Sequence, residues 1–254
     1  MRQPYAMMVD MRAKPCLVVG GGKVAARKVN ALIDAGAHVK VVSPAVTPFI
    51  KYWALSRRVE WFARPYQKED GADQFLIVAA TDDPIVNRTV YRHATLRGQW
   101  INVVDQPELC NFTIPSILKR GKLQIAISTQ GASPSVAKKI RRELECMYGE
   151  EYELYLDLVQ EMRELIRKKV TEKGLRYRLY KELASDRWID ACRKDPDRVR
   201  CKMVDWLEKI MMDQGRRKEG LWHADTCSRN KTKRVGADTN QLGDGTLAGT
   251  ETGS

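Results

Sequence analysis

The chain has 254 residues, 43% of them hydrophobic and 30% charged, a composition typical of a globular protein with a core of its own. The net charge of +12 favours an anionic partner, either nucleic acid or a small molecule rich in carboxylates. No window approaches the roughly 20 apolar residues that a membrane-spanning helix requires. The N-terminus also lacks the pattern of a signal peptide. We therefore expect no membrane association and a cytoplasmic location.

The first part of the chain, residues 1–110, alternates apolar runs with amphipathic stretches. The runs are nearly continuous in Val, Ile and Leu, which indicates strands that are covered on both faces. Strands and helices that take turns predict an α/β fold, a Rossmann-type doubly wound parallel sheet with right-handed crossovers. The predicted strands cover residues 16–22, 38–44, 59–65, 75–83 and 100–105, and the predicted helices cover 24–36 and 84–98.

Three further parts are expected after residue 110. Residues 111–149 predict a small α+β segment, because two apolar runs with a short polar connection indicate a hairpin and a basic helix over 132–145 follows. Residues 150–214 predict a helical domain, since their apolar residues recur at helical spacing. Residues 215–254 are polar with few apolar side chains, which predicts a disordered tail.

Between the first predicted strand and helix, Gly20, Gly22 and Ala25 form the pattern G-x-G-x-x-A. The first glycine permits a tight turn, the second lets a pyrophosphate approach the backbone, and the small third residue lets helix and strand pack closely. The N–H groups at the start of the helix then face the anion. The pattern favours a dinucleotide site over a purely structural turn. Its expected residues are Gly20, Gly21, Gly22, Lys23 and Val24.

The end of the second predicted strand lacks a feature that NAD sites usually have, an Asp or Glu that binds the ribose hydroxyls. Here the strand ends at Ser43, Pro44 and Ala45. Backbone groups and the Ser43 hydroxyl remain for that role. No Arg follows that would bind a 2′-phosphate, so the pattern favours NAD over NADP.

Polar clusters also follow the fourth and fifth predicted strands. Thr81 and Asp82 lie where open α/β sheets bind ligands, and Asn87 follows in the next helix. Asp82 can line the nicotinamide end of a cofactor, or cap the helix that begins near Pro84, or do both. Asp105 ends the fifth strand at the same edge. Its carboxylate can accept a proton while hydride leaves a substrate, or it can simply cap a turn.

A last polar cluster precedes the basic helix. Its residues can hold substrate carboxylates, or can form a solvated surface. The residues expected to bind substrate are Asn87, Ser128, Thr129, Gly131, Ser133 and Lys138.

The three His and six Cys are scattered without metal-ligand spacing, so we expect neither a resident metal site nor a disulfide framework.

Four segments in this order resemble the precorrin-2 dehydrogenase family, the NAD-dependent module of siroheme synthases: VVGGGKVAARK, AATDDPIVN, NVVDQPELCNFTIPSI and ISTQGASPSVAKKIRRELE. The resemblance is close over residues 4–145 and loose to about 213. It implies oxidation of precorrin-2 to sirohydrochlorin with NAD+ as hydride acceptor, and it places the family's essential aspartate on Asp105. Some family members also insert Fe2+ into the product, which makes Fe2+ a possible second substrate.

The resemblance also implies contacts and partners. Cofactor contacts fall on the turn 20–24 and on Pro44 and Ala45. Ser128 falls in the tetrapyrrole pocket and corresponds to a serine that is phosphorylated in some members. The hairpin within 111–129 contributes to a homodimer. The eight carboxylates of precorrin-2 fit the basic charge of the chain.

Two other classes of protein share some of these features. A non-catalytic NAD(H)-sensing module explains the glycines, but requires neither Asp105 nor a basic stretch over 128–142. A nucleic-acid binder explains the charge, but here aromatic residues are not interleaved with the basic ones. We therefore expect an enzyme without a nucleic-acid partner.

Overall fold

The computed structural model describes residues 4–213, which divide into two compact units. The first unit comprises the chain up to Leu118 together with Ile125–Met147. The second comprises Lys119–Gln124 together with the described residues from Tyr148 onward. The predicted tail, 215–254, lies outside the described residues, and the four-part division of the chain stays a prediction.

A five-stranded parallel sheet forms the first unit, with the strand order β3-β2-β1-β4-β5. The chain builds outward from β1 on one side and then returns to build outward on the other, so the direction of winding changes between β1 and β4. This topology confirms the predicted doubly wound sheet. The elements are β1 (Pro15–Val19), α1 (Lys23–Asp34), β2 (His38–Val42), α2 (Pro48–Leu55), β3 (Val59–Phe62), β4 (Leu76–Ala79), α3 (Pro84–Leu96) and β5 (Trp100–Val103).

Both faces of this sheet are covered, which explains the unbroken apolar runs. On β1, Cys16 and Val18 belong to the core beside α1 and α2, whereas Leu17 and Val19 belong to the core beside α3. All four side chains are at most 1% exposed. A strand that is buried on both faces cannot alternate apolar with polar residues.

The helix α2 was not predicted. Its sequence PFIKYWAL is apolar around most of its circumference, so it lacks the one-sided stripe that indicates a surface helix. Only Ile50 and Trp53 are buried, while Phe49, Tyr52 and Leu55 are exposed.

The predicted hairpin and the basic helix are present. Strands β6 (Ser116–Arg120) and β7 (Leu123–Ile127) form a two-stranded sheet, and α4 spans Pro134–Met147. Gly121 lies in the hairpin turn with a positive φ of 52°, a conformation that glycine adopts without strain.

The second unit is helical, as the spacing of its apolar residues predicts. Its helices are α5 (Glu151–Lys169), α6 (Lys173–Leu183), α7 (Asp186–Lys194) and α8 (196–213). One face of each contributes to a single core that includes Met162, Ile166, Cys192 and Met203. No helix among the described residues is long and apolar enough to span a membrane.

Candidate functional site

Backbone hydrogen bonds join the carboxyl ends of four strands at one edge of the sheet. The N–H of Gly20, just after β1, donates to the carbonyl of Val42 at the end of β2 (3.0 Å). The N–H of Val104, just after β5, donates to the carbonyl of Ala79 at the end of β4 (2.9 Å). Since β1 and β4 pair directly, the predicted clusters that follow these strands share one edge at the switch point of the sheet.

The three glycines after β1 have different roles. Gly20 has a φ of 120°, and a Cβ there would overlap the carbonyl oxygen of Ala80. A Cβ on Gly21 would overlap the carbonyl oxygen of Ala45. Gly22 has an ordinary extended backbone, and a Cβ on it would meet no atom within 4 Å. The first two glycines are therefore needed by the fold, while the third faces the open space that a bound pyrophosphate would fill.

Helix α1 begins at this open space. Gly22 is its N-cap, and none of the described side chains caps it. No acidic residue lies in its first turn, so nothing there opposes an anion. The free N–H groups of the first turn therefore suit the pyrophosphate of a dinucleotide. The turn includes Lys23, which is exposed, and Val24, which is half-buried.

At the end of β2, Ser43 is buried and its hydroxyl donates to the carbonyl of Ala45 (2.7 Å). Its own carbonyl accepts from Nε1 of Trp61 (3.0 Å). These bonds hold the loop that approaches Gly21. Pro44 and Ala45 are exposed, so they and the main chain form the surface of this loop. A direct contact between Ser43 and a ribose stays a prediction.

After β4, the side chain of Asn87 holds the turn at Thr81. Asn87 Oδ1 accepts from the N–H (3.2 Å) and the hydroxyl (2.8 Å) of Thr81, and Nδ2 donates to the Thr81 carbonyl (2.9 Å). The side chain is only 4% exposed. The Asn87 amide thus stabilises the turn at Thr81. The predicted contact of Asn87 with substrate is not tested by these bonds.

The cap of α3 is Asp83, and the alternative interpretation of Asp82 as the cap is wrong. Asp83 Oδ1 accepts from the N–H groups of Ile85 (2.7 Å) and Val86 (3.3 Å). Pro84 is the first helical residue, so the cap position directly precedes it. Asp82 is exposed and makes no hydrogen bond to the residues that the structure describes. Its carboxylate is therefore available to line the edge of the sheet.

Asp105 lies just beyond β5 in a left-handed conformation, with a φ of 59°. Asp tolerates this conformation better than most residues, but it is still uncommon outside glycine. The side chain is exposed, and its carboxylate forms no hydrogen bond within residues 4–213. The carboxylate is therefore accessible at this edge, and its role as a proton acceptor stays a prediction.

The residues that hold the Asp105 loop were missed as functional candidates. The thiol of Cys110 accepts from the N–H of Val103 (3.2 Å) and lies 3.3 Å from the carbonyls of Val103 and Gln106. Burial raises the pKa of this thiol, so it stays protonated at neutral pH. Asn111 extends the outer edge of β5 by accepting from the N–H of Ile101 (2.8 Å). In the sequence, the indication of these contacts is the close spacing of Asp105 and Cys110. The short segment between them brings the chain back to β5.

The polar loop before α4 is organised by its own hydroxyls. Thr129 Oγ1 accepts from the N–H of Ser133 (3.2 Å) and donates to its carbonyl (3.1 Å). Ser128 and Ser133 each accept from an N–H two or three residues further along. Gly131 has a φ of 86°, and Lys138 is exposed. The contacts described for the chain do not join this loop to the glycine turn, so its role stays a prediction.

Two protein families match successive parts of the chain. Residues 7–116 match a family described as putative NAD(P)-binding. Residues 120–147 match one described as the central part of sirohaem biosynthesis proteins. The first match contains the glycine turn and Asp105, and the second contains the polar loop.

Siroheme synthases and one solved structure align with most of the chain. It is 39% identical over 163 residues to a siroheme synthase of Methylobacillus flagellatus and 37% identical over 179 residues to one of Thioalkalivibrio sulfidiphilus. These matches cover 64% and 70% of the chain but only 35% and 37% of the relatives, so the chain spans about a third of their length. The solved structure of SirC, a precorrin-2 dehydrogenase, is 30% identical with a TM-score of 0.71; the match covers 81% of this chain and all of SirC.

Proposed function

The chain belongs to the precorrin-2 dehydrogenase family, and on that premise we propose that it oxidises precorrin-2 to sirohydrochlorin with NAD+. One observation carries the proposal: the open cradle at Gly22 and the accessible carboxylate of Asp105 lie at one edge of the sheet. A site for the cofactor and a candidate base are thus at the same edge of the sheet, whereas a module that only senses NAD(H) would need the cradle alone.

The reaction removes two hydrogens from the substrate, one as hydride and one as a proton. NAD+ supplies the hydride acceptor. The turn 20–24 would hold the pyrophosphate, and the loop surface at Pro44 and Ala45 would face the ribose. Thr81, supported by Asn87, and Asp82 would line the nicotinamide end. The carboxylate of Asp105 accepts the proton.

The base assignment is tested by an anaerobic assay of NADH formation from precorrin-2, comparing the wild type with Asp105→Asn. Loss of a general base lowers the rate by ~10²- to 10⁴-fold. Asp73→Asn is a matched control, because Asp73 is also exposed with a positive φ (58°) but precedes β4 and so lies at the opposite edge of the sheet. Equal rates in both variants would remove Asp105 from this role. No NADH from the wild type, with NAD+ bound normally, would favour the sensing module.

The cofactor assignment is tested with Gly22→Val, monitored by the fluorescence of bound NADH. A Cβ at this position meets no protein atom within 4 Å and needs no unusual φ, so the melting temperature should change little. The same side chain occupies the space of the pyrophosphate, so NADH binding should be lost. Lys23→Ala, at the exposed neighbouring position, should bind NADH with only a modest loss. Unchanged NADH affinity in Gly22→Val would exclude this cradle as the cofactor site.

The polar loop is proposed to bind carboxylates of the substrate, through Ser128, Thr129, Gly131 and Ser133 with Lys138 of α4. Its support is the exposed basic side chain one turn beyond a loop of hydroxyl groups. Lys138→Glu should raise KM for precorrin-2 and leave NADH affinity unchanged. An unchanged KM would leave this surface as a solvated helix face.

A homodimer is also proposed, through the segment 111–149. Its support is the number of large apolar side chains that the segment leaves exposed in a single chain. Ile117→Asp should shift sedimentation from dimer to monomer, whereas the wild type should sediment as a dimer. A monomeric wild type would contradict the proposal. The exposed residues are Ile114, Ile117, Val136 and Met147, which are 45–62% accessible.

Insertion of Fe2+ into sirohydrochlorin is a second candidate activity, with the metal as a substrate. Its support is the similarity to siroheme synthases, of which the chain spans about a third. The described residues hold no group of three or more potential metal ligands, but the tetrapyrrole nitrogens themselves bind the inserted ion. The test is anaerobic addition of Fe2+ and sirohydrochlorin, followed by the absorbance of siroheme. A rate equal to that without protein would restrict the chain to the oxidation step.

The cytoplasmic location stays a prediction.

A further inference from the structure

The second unit carries a groove of about 480 Å³, well away in sequence from the glycine turn. Its apolar part is formed by Leu156 and Val159 of α5 and by the ring of Tyr180 of α6. All three are partly buried and also pack against the helical core. The groove is thus a surface with a firm apolar floor.

Arginines line the same groove. Arg163 and Arg167 are one helical turn apart on α5, and both are exposed. The guanidinium of Arg163 lies over the Tyr180 ring, 4.2 Å from its centre, which is the distance of a cation–π contact. Within the described residues neither arginine forms an ion pair. Lys122 at the rim pairs with Asp157 (2.7 Å), and Glu164 is the one acidic residue of the lining.

The combination of an apolar floor and two unpaired guanidinium groups restricts the ligand. Guanidinium groups bind carboxylates through paired hydrogen bonds, and the Tyr180 ring with its apolar neighbours can pack against the face of a ring compound. We propose that this groove binds a flat ring compound that carries several carboxylates, through residues that are not part of the candidate cofactor site. This ligand class is the chemistry of the proposed substrate and product, so the site would retain or sense such a compound outside the catalytic edge.

The competing explanation is that the basic residues only stabilise the carboxyl end of α5. Arg167, Lys168 and Lys169 all lie in its last turn, where positive charge offsets the helix dipole. Lys168 and Lys169 do not line the groove. They therefore provide a matched control, because their removal changes the charge of the helix end and leaves the groove intact.

The test is a fluorescence titration with uroporphyrin, a stable ring compound with carboxylates on every pyrrole. The reference protein is Gly22→Val, which should not bind NADH. Two double variants are made in this background: Arg163→Ala/Arg167→Ala and Lys168→Ala/Lys169→Ala. Each lost charge-assisted contact weakens binding about 10- to 100-fold, so the arginine pair should lose one binding site. The lysine pair should keep it. Arg163→Lys, which keeps the charge but not the paired donors of the guanidinium, should fall between them.

Three outcomes would overturn the proposal. Equal binding by both pairs would show that the groove is not the site. Equal loss in both would show that net charge alone attracts the probe. Displacement by citrate, a polycarboxylate without a ring, at the same concentration as uroporphyrin would show that the apolar floor contributes nothing. The result is separable from the proposed function, because a chain that forms no NADH from precorrin-2 can still bind uroporphyrin here.

Discussion

The two units present different parts of the chain at their candidate ligand surfaces. In the first unit, the edge around Gly20, Gly21 and Gly22 consists mainly of backbone, because parallel strands end there and a helix begins. In the second unit, the groove consists of side chains from α5 and α6, whose backbone groups are already paired within the helices. Ligand binding should therefore depend on the absence of side chains in the first unit and on their chemistry in the second.

The largest expected effect on stability belongs to the core of the second unit. Met162 has no exposed surface and lies in the middle of α5, so Met162→Ala should cost about 4 kcal/mol of unfolding free energy. Hydrogen exchange should become faster at the amides of the helical unit, while NADH affinity remains unchanged. Met212→Ala, at a side chain of α8 that is 67% exposed, is the control and should have little effect. Loss of NADH binding in Met162→Ala would show that the cofactor site depends on the helical core.

Gly21→Ala tests whether the backbone approach in the first unit is as tight as the structure indicates. The new Cβ would overlap the carbonyl oxygen of Ala45, which is backbone and cannot rotate away. We expect a loss of about 3 kcal/mol and of NADH binding. Gly22→Ala is the matched control, with a stability near that of the wild type. A stable Gly21→Ala that binds NADH would contradict the close approach of the two loops.

The buried ion pair of the first unit should outweigh the exposed pairs of the second. Asp70 accepts two hydrogen bonds from Arg64 (both 2.7 Å) and is 5% exposed, so Asp70→Asn should cost about 2 kcal/mol at pH 7. Glu161→Gln, which breaks the exposed pair with Arg200, should change stability little.

The same pair predicts a pH dependence. The hydrogen bond from Arg64 is the main reason that the pKa of Asp70 is lowered in the folded chain. A carboxyl with a lowered folded pKa stabilises the protein above its unfolded pKa of about 4 and loses that contribution as the pH falls through the folded value. Chemical denaturation of wild type and Asp70→Asn should therefore differ at pH 7, begin to converge below about pH 4 and agree only below the folded pKa of Asp70. A constant difference across this range would contradict the assignment.

The smallest expected effect is at the start of α3. Asp83→Ala removes the side-chain cap and should cost about 1 kcal/mol. Asp82→Ala should cost much less, because Asp82 makes no described hydrogen bond. If the two variants were equally stable, or if Asp82→Ala were the less stable one, the cap assignment would be wrong. Thermal melting of both variants provides the measurement.

The architecture of the first unit was predictable because the strands are buried on both faces and separated by amphipathic helices. The missed helix α2 shows the limit of that method, since a helix with Phe49, Tyr52 and Leu55 exposed has no one-sided apolar stripe. The helical second unit was predictable from periodicity, whereas its groove was not. The groove depends on Arg163 and Tyr180 meeting from different helices.

At the candidate site, sequence patterns identified the residues but not how each one acts. The motif does not distinguish Gly21, which is confined by Ala45, from Gly22, which is open, because that difference arises from the loop after β2. Likewise Asn87 carries the polar group expected near a substrate, yet tertiary contacts turn its amide to Thr81. Such roles depend on how each loop folds onto its neighbours, whether these are near in the sequence, as Thr81 is to Asn87, or distant, as Ala45 is to Gly21.

The cysteines buried in each core provide chemical reporters of how the chain opens. Cys16 lies in the sheet with no exposed surface, and burial raises the pKa of its thiol to about 11; Cys192 is buried in the helical core, and burial raises its pKa as well. A thiol reagent therefore reacts with either only after local opening, while the exposed Cys146 and Cys201 react at once. Mass spectrometry of peptides labelled over time would give a separate opening rate for the sheet and for the helices, without any engineered probe.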